Sequence, residues 1–314
     1  MRIVTGFSMH VRFLCVCIAL LTACTHGSKH GSSKAKLPWE IPVQEFKLVK
    51  DAGPVLLRLK ADPKRIEKVA YTHRMRSTSY EDLEIRHQKE ELFDFLSQAE
   101  TLKVESDGET FTQRITVLKK EGNANLHDFA MPEINEKLDV VADSRGRIIR
   151  SGDYPANSIF YVPPISLPEG PVKVGDTWTM QASWLSIDEM VPYQLDMVSI
   201  LKNIWECGKD RCAEIEISGE VRLQGPLAQA IVFKSMWRGF LLFNIDAGTL
   251  VWSRVDSEEQ LLSGNVRRSV TSCLEASMVE PVELKLMTNE KPCAVLSEPG
   301  DITPPPAPVT AQAI

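Results

Sequence analysis

Apolar residues at every second position, broken by glycine-bearing turns, constrain this chain more than any other feature. In "KVAYTHRMR", Val69, Tyr71, His73 and Met75 fall on one side of an extended chain, with Lys68, Thr72, Arg74 and Arg76 on the other. "TFTQRITV" groups Phe111, Ile115 and Val117 in the same way. "LDVVADSRGRIIRS" and "FLLFNIDAGTLVWSRV" each read as two strands folded at a turn that contains glycine. This pattern predicts a mainly β chain with few short helices: a curved antiparallel sheet or half-barrel, with two similar halves as an option. Helical spacing shows only near "SYEDLEIRHQKEELFDFL" (79–96), which fits either a helix or a loop entering a strand.

The two halves come from a shift of 102 residues. It lays "ESDGET" (105–110) on "CGKDRC" (207–212), Phe111, Ile115 and Val117 on Ala213, Ile217 and Gly219, and Gly146 on Gly248. No gap is needed between residues 93 and 151. Duplication and the chance self-alignment of a β-meander both explain this register. Between the halves, "VPPISLPEGPVKVGDTW" (162–178) reads as an extended proline connector. Gly175-Asp176 then turn into a strand near Trp178.

The N-terminus adds an address. Met1–Arg12 carries Arg2 and Arg12 and no acid, and "FLCVCIALLTA" (13–23) is an apolar core too short to span a bilayer. This is a secretory signal. Its end, "LTAC" (21–24), resembles the bacterial lipobox, which implies cleavage before Cys24, a diacylglycerol thioether on that cysteine and acylation of its amine, palmitate being a typical chain. Two or three buried acyl chains hold a protein firmly on a membrane. "THGSKHGSSKAK" (25–36) is small, polar and suited to a tether. In the enterobacterial sorting pattern, aspartate after the cysteine favours inner-membrane retention, so Thr25 implies the outer membrane, facing the periplasm. "VKVGDTW" (172–178) is similar to a motif of uncharacterised β-rich bacterial envelope lipoproteins, which implies a fold and no activity. The expected organisation is signal 1–23, tether 24–40, β-rich domain 41–293 with candidate halves 50–160 and 165–275, and a proline-rich tail 294–314.

Seven cysteines sort themselves on this reading. Cys15 and Cys17 leave with the signal and Cys24 takes lipid. Cys207, Cys212, Cys273 and Cys293 remain, an even number in an exported chain, which predicts disulfides. Folding at "GKDR" sets Cys207 directly opposite Cys212 on the outer face and Ile204 opposite Ile215; Cys273 with Cys293 would pin the end of the fold. C-x4-C is not redox C-x-x-C spacing.

Losing residues 1–23 removes two arginines and no acid, so the formal charge of −6 becomes −8. With its basic residues dispersed, the chain is a poor binder of nucleic acid. His73, His87 and His127 form no H-x-x-x-H or H-E-x-x-H pattern, so no metal site is expected. No G-x-S-x-G elbow, P-loop or G-x-G-x-x-G exists, so neither catalytic residues nor cofactors are expected. Asp143, Asp176 and Asp246 read as turn residues, and "EEL" and "DSEEQ" as solvated faces. The expected function is a lipid-anchored, non-catalytic envelope module that binds an apolar ligand or an envelope partner. An accessory subunit without a ligand, or a hydrolase with an unrecognised site, are the alternatives. Val69, Tyr71, Trp178 and Trp237 are candidate lining at the seam between the halves, against an ordinary role in core packing.

Overall fold

The computed structural model describes residues 47–63, 65–81, 84–186, 191–264, 266–280 and 293. Cys24, the signal, the tether to residue 40 and the tail from residue 294 lie outside the described residues.

Twelve antiparallel strands build one curved sheet, as the alternation predicts. They are β1 (Lys47–Leu48), β2 (Ile66–Glu81), β3 (Glu84–Val104), β4 (Thr110–Glu121), β5 (Leu138–Asp143), β6 (Ile148–Ser151), β7 (Thr177–Leu185), β8 (Pro192–Cys207), β9 (Asp210–Leu223), β10 (Val232–Asn244), β11 (Thr249–Ser263) and β12 (Val266–Glu280). The order is β1-β8-β9-β10-β11-β12-β2-β3-β4-β5-β6, and β7 also pairs with β8. The sheet does not close into a barrel. Between β6 and β7 lies the 3-10 turn Ile159–Tyr161, which touches both strands. Ile159 packs into the apolar clusters on both sides of this gap, and Leu185 N donates to Asn157 O at 2.7 Å.

The stretch 79–96 is strand, not helix: it runs from the end of β2 into β3. Its charges mimic a helical period because β3 outruns its neighbour. β4 pairs with β3 only from Asp94 onward, so residues 84–92 bury neither face and carry polar groups on both.

One end of the sheet is plugged. Leu57, Leu167 and Ile165 are almost fully buried there, in a cluster with β8, β9 and β10. Lys60 N donates to Gly248 O at 2.9 Å, and Leu59 N to Ser144 O at 2.7 Å. Two turn glycines make the close approach workable. Gly146 and Gly248 have φ of 83° and 65°. A Cβ on the first would lie 2.8 Å from Ile165 O, and on the second 2.5 Å from Lys60 Cγ.

Strands β3 to β6 and β8 to β11 follow the same order with bulges at matching hairpins, and depart from the 102-residue register at one of them. The β5–β6 bulge at Ile149 and the β10–β11 bulge at Val251 are 102 residues apart. The β3–β4 bulge at Leu102 and the β8–β9 bulge at Lys202 are only 100 apart. The ungapped alignment therefore fails at the hairpin tip. Six residues separate the pair Val104↔Phe111, but eight separate Ile204↔Ala213.

That longer tip holds a disulfide. Cys207 and Cys212 are joined with Cα atoms 5.9 Å apart, and Cys273 and Cys293 with Cα atoms 5.6 Å apart. The expected facing is wrong by one turn type. The connection is the two-residue Gly208-Lys209, with Gly208 at φ 70°, so Cys212 faces Trp205, Cys207 faces Asp210 and Ile204 faces Ala213. The cysteines are diagonal neighbours on the outer face, buried among Trp205, Phe240, Leu242 and Trp252. Replacing both Cys207 and Cys212 with alanine should cost about 2 kcal/mol by loop-closure entropy, and the longer Cys273–Cys293 loop about 3 kcal/mol. Urea unfolding of the two double variants measures both; the 273/293 pair should show the larger loss.

Candidate functional site

Cross-strand rows show how the concave face is built. Nearest the end away from the plug, Phe233, Leu261, Arg268, Ser79 and His87 face one another across β10, β11, β12, β2 and β3. The next row is Ser235, Glu259, Val270, Ser77 and Lys89, and the third is Trp237, Ser257, Ser272, Met75 and Glu91. Deeper lie Gly239, Val255, Leu274, His73 and Phe93, then Leu241, Ser253, Ala276, Tyr71 and Phe95. Polarity thus falls from mouth to base.

On β11 and β12 both faces carry buried residues. The outer face carries Arg254, Glu258, Thr271 and Glu275, all buried. Their charges are satisfied. Arg254 Nε pairs with Asp256 Oδ2 at 3.0 Å, Gln260 Nε2 donates to Glu258 at 2.8 Å, and Glu275 accepts from Trp252 Nε1 at 3.0 Å and Cys293 N at 3.1 Å. On the concave face, by contrast, Val255, Leu274, Trp237 and Tyr71 stay only half-buried. Beside them Val270, Ala276, Leu241 and Phe95 of the same face are buried, so side chains fill this face in part and leave the first four partly open. "DSEEQ" is not a solvated face either: Glu258 is buried outward, and Glu259 points into the concavity.

The four expected lining residues share the concave face but not one seam. Val69 and Tyr71 flank the β12–β2 seam. Trp178 stands on β7 beside the unpaired gap, its Nε1 donating to Ser166 O at 2.9 Å. Trp237 lies on β10, with β11 and β12 between it and β2, and donates to Ser235 Oγ at 3.0 Å. Trp178 and Trp237 pack against the main core cluster, as their ordinary reading had it.

The 3-10 turn Leu126–Phe129 folds over β2 and β3 and leaves a pocket of about 390 Å³ lined by His73, Met75, Lys89, Glu91, Phe93 and Phe129. His73 lies 4.9 Å from the Phe93 ring and 5.2 Å from the Phe129 ring, centroid to centroid. Burial lowers its pKa to about 4. The three histidines do not meet: His87 is exposed at the mouth, and His127 Nε2 contacts Glu136 at 3.0 Å and Tyr154 Oη at 3.2 Å. Among the described residues no group of three or more His, Cys, Asp or Glu side chains is placed to hold a metal ion. Asp143, Asp176 and Asp246 accept from nearby backbone N–H groups at turns.

Sequence reasoning missed Glu259. Desolvation raises its pKa to about 7, although water still reaches part of the side chain, and Arg268 and Ser235 pull in the opposite direction. The available signal was parity, since Glu259 alternates with Val255, Ser257 and Leu261. The two shifts have opposite linkage. His73 contributes stability that is complete above pH 6.5 and lost as pH falls toward about 4. Glu259 favours folding below pH 4.5, an effect lost as pH rises to about 7. His73→Phe should flatten the acid limb of a Tm–pH profile, whereas Glu259→Gln should raise Tm mainly at and above pH 7. Each shift is worth on the order of 1–3 kcal/mol, with about 2–4 °C per kcal/mol.

Among the described residues no helix is long and apolar enough to cross a membrane, which says nothing of strands. No family model and no curated relative matches the chain. Similar solved structures include Ail of Yersinia pestis in complex with sucrose octasulfate, at 8% identity over 68% of this chain and 97% of that one, TM-score 0.16. An engineered protein described for asymmetric conductivity matches at 9% identity over 68% and 100%, TM-score 0.24. A conserved protein of unknown function with a hot dog fold from Alicyclobacillus acidocaldarius matches at 11% identity over 71% and 83%, TM-score 0.11. At these scores the backbones do not superpose as one fold, and nothing about this chain rests on the likeness.

Proposed function

We propose that this chain is a lipid-anchored protein of the bacterial envelope, held to the membrane through Cys24, that carries an apolar ligand on the concave face of its sheet and performs no catalysis. One observation supports the ligand above all: Val255, Leu274, Trp237 and Tyr71 remain only partly buried inside the curve, while Arg254 and Glu258 of β11 and Glu275 of β12 are buried outside. Leaving apolar surface open at the centre of a fold forgoes burial energy of about 25 cal/mol per Å², which a ligand restores. The address rests on "LTAC" and the polar tract that follows it.

Leu274→Trp tests the reading. If the concavity is open, the larger ring fits, stability changes little, and affinity for a fluorescent acyl probe falls about tenfold or more. If the concavity is filled, overpacking costs about 1–3 kcal/mol and no probe binds even to the unaltered protein. The second outcome would favour an accessory role through the edge of β3, whose residues 84–93 pair with β2 but not with β4.

A further inference from the structure

Glu259 and Arg268 are diagonal neighbours on adjacent strands: Glu259 faces Val270, and Arg268 faces Leu261. Such positions are about 7–8 Å apart along the sheet. Both side chains are on the concave face near the mouth, yet they do not pair. Arg268 Nε donates to Ser77 Oγ at 3.1 Å, and Ser235 Oγ donates to Glu259 Oε1 only at 3.5 Å. The next charges on these rows, Lys89 and Glu91, are already bonded to each other. A carboxylate and a guanidinium, both only partly buried on the concave face, are thus each steadied by a serine rather than by each other. A desolvated carboxylate whose neighbouring cation, Arg268, attracts it without bonding to it is costly to ionise, and a cation seated directly on it lowers that cost.

Beneath the charges the rows turn apolar, through Trp237, then Val255 and Leu274, then Tyr71 and Phe95, whose rings stack 4.3 Å apart. We infer that the ligand is a zwitterionic amphiphile, an acyl chain whose headgroup carries an amine two carbons from a phosphate. The ammonium seats on Glu259, the phosphate takes the Nη donors of Arg268, and the chain runs down toward Tyr71. The opposite signs on neighbouring strands select a headgroup holding both charges over one holding either alone. This inference rests on the ligand-binding reading above.

Displacement of a fluorescent acyl probe from the full mature chain, kept soluble by Cys24→Ser, tests it with three single-chain competitors. These are lysophosphatidylethanolamine, lysophosphatidylglycerol and a monoacylglycerol of the same chain length. The ethanolamine lipid should bind about tenfold tighter than the glycerol lipid, and the uncharged one weakest. Glu259→Gln removes a desolvated charge and should fold; it should erase the preference for the amine while leaving lysophosphatidylglycerol within about twofold. Arg268→Gln should weaken both phospholipids and spare the monoacylglycerol. Equal affinity for all three competitors, or an amine preference that survives Glu259→Gln, overturns the headgroup assignment and leaves the ligand-binding reading standing. Failure of the acyl probe to bind overturns both.

Discussion

Residues 50–160 expressed without the rest of the chain will aggregate or stay unfolded. The fragment keeps β2 to β6, but β2 loses β12, its partner from Val266↔Glu81 to Glu280↔Lys68. A 16-residue strand then becomes a bare edge, open to any other strand. The plug also fails: Leu57 packs against residues of β8 to β10, and Lys60 hydrogen-bonds Gly248. The fragment keeps two small apolar clusters of its own, around Phe93–Leu126 and Phe111–Phe160, but the main cluster, which joins Leu57 to β8, β9 and β10, is lost with the second half. Size-exclusion chromatography and far-UV circular dichroism measure it. A monodisperse fragment that unfolds cooperatively would mean that the halves are independent domains, against the single sheet.

Cys24→Ser will leave the protein unlipidated. Two or three acyl chains at about 0.8 kcal/mol per buried methylene hold a protein firmly on a bilayer. Blocking the lipoprotein signal peptidase should accumulate a larger precursor, and the mature N-terminus should be Cys24. Membrane fractionation with N-terminal mass mapping decides it. A mature N-terminus anywhere but Cys24, or a serine variant that still carries lipid, contradicts the anchor.

What the sequence disclosed depended on whether one strand face was buried. Val69, Tyr71, His73 and Met75 were legible because β2 has neighbours on both sides over that stretch, so its alternation reflects a real inside and outside. Residues 84–92 were ambiguous because β4 stops short of them and the period blurs. The pairing partners of Cys207 and Cys212 were legible from count and spacing. Their register was not, because a two-residue and a four-residue turn suit the same letters and place Cys212 opposite different residues.

The functional face was the least legible part. A chain inspected alone assigns charges such as Glu258 and Glu259 to solvent, and only the fold shows that β11 and β12 bury charge outward. The 102-residue shift placed β4 to β6 correctly against β9 to β11. It erred by two residues at β3 and β8, where the disulfide hairpin is longer. Insertions at hairpin tips cost little, so they escape an alignment built on pattern.

Native mass spectrometry of the protein released gently from its own membrane, followed by lipid extraction of the same sample, tests the central claim most directly. The account predicts a stoichiometric acyl-chain lipid bound non-covalently, in addition to the chains on Cys24, and its loss in Leu274→Trp. Wild-type protein as free of lipid as the Leu274→Trp variant would contradict it.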